Sequence, residues 1–386
     1  MREERKEMNN SYLRIKNRVL LAQGAVLFLY LFIMAYSFSL PLGEFIYQLS
    51  RNSVIAVSLY LFVLYVFYFL ISFGLNFYGE FLQAKKFQIK DEEFGEWAKD
   101  LLRRQGIIFI ALLFVVQVTY FFLETQPKTW WLLNAAFWIV IIIFKNEIFP
   151  FYILPLILRY APLSDENLKS KIIALAQKAG VTIQDVCRIK PGFHLRTPIV
   201  MFSGVNPNRK MLLDDIFCDY TQEEVGIAVL QELARNYYQH RWKLAGCRAL
   251  FTLLVFAGAG VMFKPAARFF GFKLIFDIGA FPVLALLFLC GAGIFIVIFN
   301  DLSRRFTRKE DDFVLSKSGQ TEAFISVLVR QANESNRDQN PGYLAEKLLF
   351  DKPSFSQRIL TIQDYAHNLQ FKQGDNQENK EDKSSP

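Results

Sequence analysis

Histidine is nearly missing: only three occur in 386 residues, at positions 194, 240 and 367. That scarcity limits the nitrogen ligands open to any metal site. Cysteine is almost as rare, and no two of Cys187, Cys218, Cys247 and Cys290 form a Cys-x-x-Cys pair. Cys290 lies inside an apolar run, which argues against a disulfide framework. Charge is thin as well: Asp, Glu, Lys and Arg make up 21% and are clustered, so long stretches carry none. This composition excludes a disordered chain, a collagen and a coiled coil. What fills the space is apolar: 53% of residues are hydrophobic, among them 40 Phe, 16 Tyr and 5 Trp. The mean hydropathy is +0.21. A water-soluble enzyme rarely carries so much apolar matter, and the chain reads as an integral membrane protein. In that setting the net charge of +8 belongs to topology and lipid headgroups, with no nucleic-acid role.

Six apolar segments carry no charge: 19–41, 54–77, 106–123, 129–144, 249–263 and 278–299. A helix needs about 20 residues to cross the hydrocarbon layer. The first three and the last have that length. The fourth is short, but Trp130 and Trp131 at its start suit an interfacial aromatic belt, and the fifth is short enough to be a continuation of the preceding helix. About six to seven spans are therefore expected. Basic residues crowd the N-terminus, which precedes a retained signal anchor, and also the 78–105 loop and the 145–246 region. By the positive-inside rule both termini and the large middle segment face the cytoplasm. Arg304, Arg305, Arg308 and Lys309 then read as a positive-inside anchor after the last span, or more sharply as an acidic-lipid site.

Between the fourth and fifth segments the chain turns more polar. Phe149 to Pro155 is apolar but holds two prolines that prevent an ordinary helix. Ser164-Asp-Glu-Asn caps a helix at about 165–179, closed by Gly180. Strands are expected at 197–202 and at Lys210 to Leu213, with a turn at Asn206-Pro-Asn. Thr221-Gln-Glu-Glu then caps one long helix running to about 246. From about 367 the chain reads as a disordered tail. The organisation expected is a basic cytosolic N-terminus (1–18), a transmembrane bundle (19–160), a third region (161–366) that includes the two late spans 249–263 and 278–299, and the tail (367–386).

The stretch that carries chemistry is Glu224 to His240, centred on Gln231-Glu232-Leu233-Ala234-Arg235. A helical His-Glu-x-x-His sets two histidines on one face to bind a single zinc, with the Glu activating the bound water. Here the Glu is present and both histidines are replaced. Four further pieces follow in a fixed order with it. Ile148 to Leu168 ends in Pro-Leu-x-Asp-x-x-Leu; Gly204 to Asp214 reads Gly-x-x-x-x-Arg-x-x-x-x-Asp; Ser303 to Asp311 begins Ser-Arg-Arg-Phe; Pro353 to Arg358 closes the set. Together these resemble the CAAX prenyl protease (type 1) family of integral-membrane zinc metalloproteases. The resemblance covers about 148–362. It implies an all-α integral membrane protein with a cytosolic, zincin-like α+β segment at 161–366.

The resemblance assigns Glu232 the family's general-base position and Gln231, Arg235 and Thr307 the three zinc-ligand positions. It also makes Ile199, Val200, Lys352 and Arg358 candidates for a substrate groove. All three ligand types are lost: Gln offers a weak neutral oxygen, Thr a hydroxyl that stays protonated, and Arg a permanent charge with no lone pair. No zinc or other cofactor is expected. Glu310, one turn after Thr307, offers a carboxylate in place of the third ligand, but His194 and His240 are not at ligand spacing to support it. On the helix Arg235 lies three residues from Glu232 and pairs with it. The implied function is that of a catalytically inactive relative that binds peptide, lipidated protein or a membrane partner. The alternatives are an active membrane metalloendopeptidase with a non-standard metal site, in which zinc would be bound, and a lipid or small-solute carrier. The absence of Asp, Glu, Lys and Arg within the six segments argues against proton-coupled transport. The expected location is the plasma (inner) membrane or the endoplasmic reticulum.

Overall fold

In hydrocarbon, a backbone satisfies its own N–H and C=O groups most simply by coiling into a helix, and the apolar runs do so. The computed structural model describes residues 2–89, 91–153, 158–189, 200–203, 209–334 and 338–367. In chain order the helices are α1 (Arg2–Ile33), α2 (Ser39–Leu49), α3 (Ser53–Asn76), α4 (Gln83–Lys86), α5 (Phe94–Thr125), α6 (Trp130–Ile143), α7 (Glu166–Lys178), α8 (Gln222–Tyr237), α9 (His240–Phe269), α10 (Phe281–Ser318), α11 (Thr321–Glu334) and α12 (Tyr343–Leu349), followed by α13 (355–367). Wider π-helical turns at Met34–Phe38 and Phe77–Leu82 join α1 to α2 and α3 to α4. Four short strands are β1 (Tyr160–Pro162), β2 (Asp185–Ile189), β3 (Val200–Ser203) and β4 (Lys210–Leu213).

Among the described residues, five continuous helical stretches are long and apolar enough to cross a membrane: Met8–Leu49, Ser53–Lys86, Phe94–Thr125, His240–Phe269 and Ile278–Ser318. The fourth apolar segment forms a shorter apolar helix, Trp130–Asn146. So of six to seven expected spans, five qualify by length and composition. The fifth segment is the middle of α9 rather than a tail of the helix before it. That helix ends at Tyr237 instead of about 246, because Gln239 takes a positive φ of 52° and breaks the path. Phe144–Ile153, which holds Pro150, is π-helical rather than an ordinary helix, while Pro155 lies outside the described residues.

The first compact unit comprises Met1–Ile143 and Gly246–Phe299. Its core is aromatic, built on Tyr60, Tyr120, Trp130, Phe263 and Phe272. Each buried hydroxyl finds a partner: Tyr30 donates to the Leu64 carbonyl at 2.8 Å, Tyr120 to the Asp277 carbonyl at 3.3 Å, and Ser39 bonds both Tyr60 and the Gly279 carbonyl. Small residues let backbones approach; a Cβ built on Gly43 would lie 3.3 Å from the Gly279 Cα. Many apolar side chains on these helices point outward, including Ile110, Val140 and Val261, as a lipid-facing surface requires.

The second unit comprises Phe144–Ala245 and Asn300–Pro386. Its sheet has the order β1-β2-β4-β3, with β2 and β4 parallel and the two outer pairs antiparallel. β4 alternates faces as a strand must: Met211 and Leu213 join a large core with α7, α8 and α11, while Leu212 joins a smaller one with Cys187 and Met201. Asp165 caps α7, its Oδ1 accepting the amides of Asn167 and Leu168 at 3.0 Å. Thr221 and Glu224 form a complete capping box at the start of α8. β3 begins at Val200; the expected strand residues 197–199 lie outside the described residues. So do the Asn206-Pro-Asn turn and the tail beyond His367.

Candidate functional site

α8 packs its apolar stripe, with Leu230, Leu233 and Ala234, into the core of the second unit, which also draws Glu232 inward. The Glu232 side chain is 10% exposed and accepts from Arg235 Nη1 at 3.0 Å. This is the i, i+3 pair that helical spacing sets up. Arg235 does more than close that pair. Its other nitrogen, Nη2, lies 3.5 Å from Glu310 Oε2 on α10. Glu310 in turn meets His240 Nδ1 with Oε1 at 2.9 Å. The imidazole is stacked on Phe306, with ring centroids 4.1 Å apart. The result is a chain Glu232–Arg235–Glu310–His240, in which a guanidinium sits between two carboxylates.

The left-handed turn at Gln239 makes this possible: it ends α8 and lets His240 open α9 with its ring against α10. Sequence spacing set His240 apart from Glu310, and the structure corrects that. The sequence singled out Glu310 only as a carboxylate one turn after Thr307. Its partner, seventy residues away in sequence, was not legible.

The remaining candidates sort differently. Thr307 donates its hydroxyl to the Ser303 carbonyl of its own helix at 3.1 Å. Gln231 is half-buried on α8 beside Glu232. Val200 opens β3, the sheet's edge strand, opposite Leu213, whereas Ile199 lies outside the described residues. Arg358 forms a buried two-pronged pair with Asp311, at 2.8 and 2.6 Å, so it is a strut between α13 and α10. Arg304 is buried too: it donates to the carbonyls of Glu346 and Phe350, which separates it from the exposed anchor residues Arg305, Arg308 and Lys309.

Electrostatics follow from burial and pairing. Burial pushes the Glu232 carboxyl above the ordinary range; the Arg235 charge opposes this and Glu310 adds to it. Lys352 is exposed, yet the nearby Arg235 charge, then desolvation, lowers its pKa to about 8.

As zinc donors, the residues at the family's three ligand positions are a poor set. The Thr307 hydroxyl stays protonated and donates within its own helix, and the Arg235 guanidinium carries a positive charge and no lone pair. Among the described residues, no group of three His, Cys, Asp or Glu side chains comes together to hold a metal.

The sequence model described as "CAAX prenyl protease N-terminal, five membrane helices" matches residues 1–159. Over these residues the chain is similar to the CAAX prenyl proteases. Among curated relatives it is 23% identical over 305 residues to the uncharacterized metalloprotease YhfN of Bacillus subtilis, covering 78% of this chain and 71% of that protein. It is 24% identical over 244 residues to CAAX prenyl protease 1 of Saccharomyces cerevisiae, covering 60% of this chain and 52% of the yeast protein. The fold matches the crystal structure of S. mikatae Ste24p with a TM-score of 0.59 at 18% identity, over 80% of this chain and 76% of that one.

Proposed function

We propose that the chain is a catalytically inactive relative of the CAAX-type membrane metalloproteases, one that binds peptide, lipidated protein or a membrane partner without cutting it. The observation that carries this reading is the Arg235 guanidinium between Glu232 and Glu310. A general base needs a metal-bound water to activate, and Glu232 is instead neutralised by a fixed cation. Among the described residues β3 stands at one end of the sheet, which supports a retained binding role, because a strand in that position can accept an extended peptide through main-chain hydrogen bonds. The basic N-terminus and 78–105 loop support an orientation with both termini and the second unit in the cytoplasm.

The test is the zinc content of the protein purified in detergent, beside a Gln231→His, Arg235→His, Thr307→Glu variant. An empty native protein and a variant that gains one zinc per chain are expected. One zinc per native chain would overturn the inactive reading. One observation favours that second reading, an active metalloendopeptidase with a non-standard site: His240 and Glu310 do meet, which gives an ion two donors if Arg235 moves away. In that case His240→Ala and Glu310→Gln would each release the native metal.

A further inference from the structure

The apolar run of α10 ends at Phe299, and the charge-free run of α9 begins after Arg248. The Arg248 guanidinium lies 4.9 Å from the centre of the Phe299 ring. The two antiparallel helices therefore pass from apolar to polar at the same level, and that level marks where hydrocarbon gives way to headgroups.

α12 is fastened there. Asn300, the first residue past the run, donates Nδ2 to the Lys347 carbonyl at 3.0 Å. One turn on, Arg304 donates to the carbonyls of Glu346 and Phe350, both at 3.0 Å. These bonds hold carbonyls at the C-terminal end of α12. They fasten α12 to the first turn of α10 past the apolar run, a stretch that rises roughly 6 Å over four residues. No residue of α12 is buried. Tyr343 is 70% and Leu344 64% exposed, and the Lys347 ammonium sits 4.3 Å from the Tyr343 ring centre. Exposed tyrosine and leucine beside a lysine that can extend to phosphate is the composition of a membrane interface, where an aromatic body is immersed and a charged tip stays wet.

We propose that α12 lies in the headgroup layer of the bilayer, Tyr343 and Leu344 inserted and Lys347 reaching the lipid phosphates. The segment that closes the family-like region, 352–358, would then be held at the membrane surface by the turn that precedes it.

The full chain is reconstituted in phosphatidylcholine–phosphatidylglycerol vesicles with the photoreactive amino acid p-benzoylphenylalanine at position 343 or 344. Position 294 serves as reference, because Ile294 is exposed within the charge-free run. Irradiation is expected to give lipid adducts at 343 and 344 at no less than about a third of the yield at 294. In parallel, the unsubstituted protein is irradiated with a lipid carrying a diazirine near the headgroup, and the peptide holding 343–349 is expected to be labelled. Lipid adducts at 294 with none at 343 or 344, and no label on the native peptide, would overturn the proposal. So would an adduct joining position 343 or 344 to a second protein chain, which would make α12 a protein contact.

Discussion

At the scale of single residues, Arg235 concentrates the consequences. Removing its side chain leaves the buried Glu232 carboxylate with no countercharge, and that loss costs more than the pair itself contributes. Arg235→Ala is expected to destabilise the protein by about 2 kcal/mol, less than for a fully buried pair because the guanidinium is 36% exposed. Thermal unfolding in detergent reads this, and adding Glu232→Gln should recover more than half of the loss, since the two residues act as one unit. Lys352 answers to pH. Its folded pKa of about 8 lies below the ordinary lysine value, so between the two the unfolded chain binds the extra proton and stability rises with pH. The penalty is complete below about pH 8. Lys352→Gln should therefore raise the melting temperature at pH 7 and lose that gain by roughly pH 10. A gain that persists at high pH would assign the effect to packing instead.

Elements show how little room the membrane helices leave. On α9, a Cβ at Gly260 would stand 2.7 Å from the Trp131 ring, while one at Gly258 would meet nothing within 4 Å. Two turn-neighbours of the same type thus predict opposite outcomes. Gly260→Ala should cost about 1–3 kcal/mol through overpacking against a rigid ring. Gly258→Ala should be neutral or stabilising by up to about 1 kcal/mol, the helix-propensity gain. Melting temperatures of the two variants in one detergent decide it. The hinge between α8 and α9 is a further element-level feature. Gln239 carries a positive φ that glycine adopts without strain, and nothing in the local composition marks it as a break. The capping box at Thr221, by contrast, was readable, because a Thr followed three residues later by Glu before an apolar stripe satisfies two orphan donors at once.

For the whole molecule, metal and folding should be uncoupled. A structural or catalytic zinc stabilises what it binds, and a chelator removes that stabilisation. The native chain is expected to melt at the same temperature with and without EDTA. The Gln231→His, Arg235→His, Thr307→Glu variant should melt higher with equimolar zinc and lose the gain on chelation. A chelator-sensitive native protein would contradict the proposed function.

Composition alone determined that this chain lives in lipid, because long charge-free runs leave the backbone no other partner than itself. Local motifs placed α7 from the Ser164-Asp-Glu-Asn cap, α8 from Thr221 and β4 from the short run Lys210-Met-Leu-Leu, all effects that act within a few positions. Tertiary structure alone decided three things. It split one expected helix at Gln239, brought His240 to Glu310, and buried as struts both Arg304, expected in a surface anchor, and Arg358, a candidate for a groove. Each depends on contacts between segments tens of residues apart, fixed by packing rather than by any local preference. A lone Arg235 in the sequence shows only that a ligand is gone; its place between Glu232 and Glu310 shows what stands there instead.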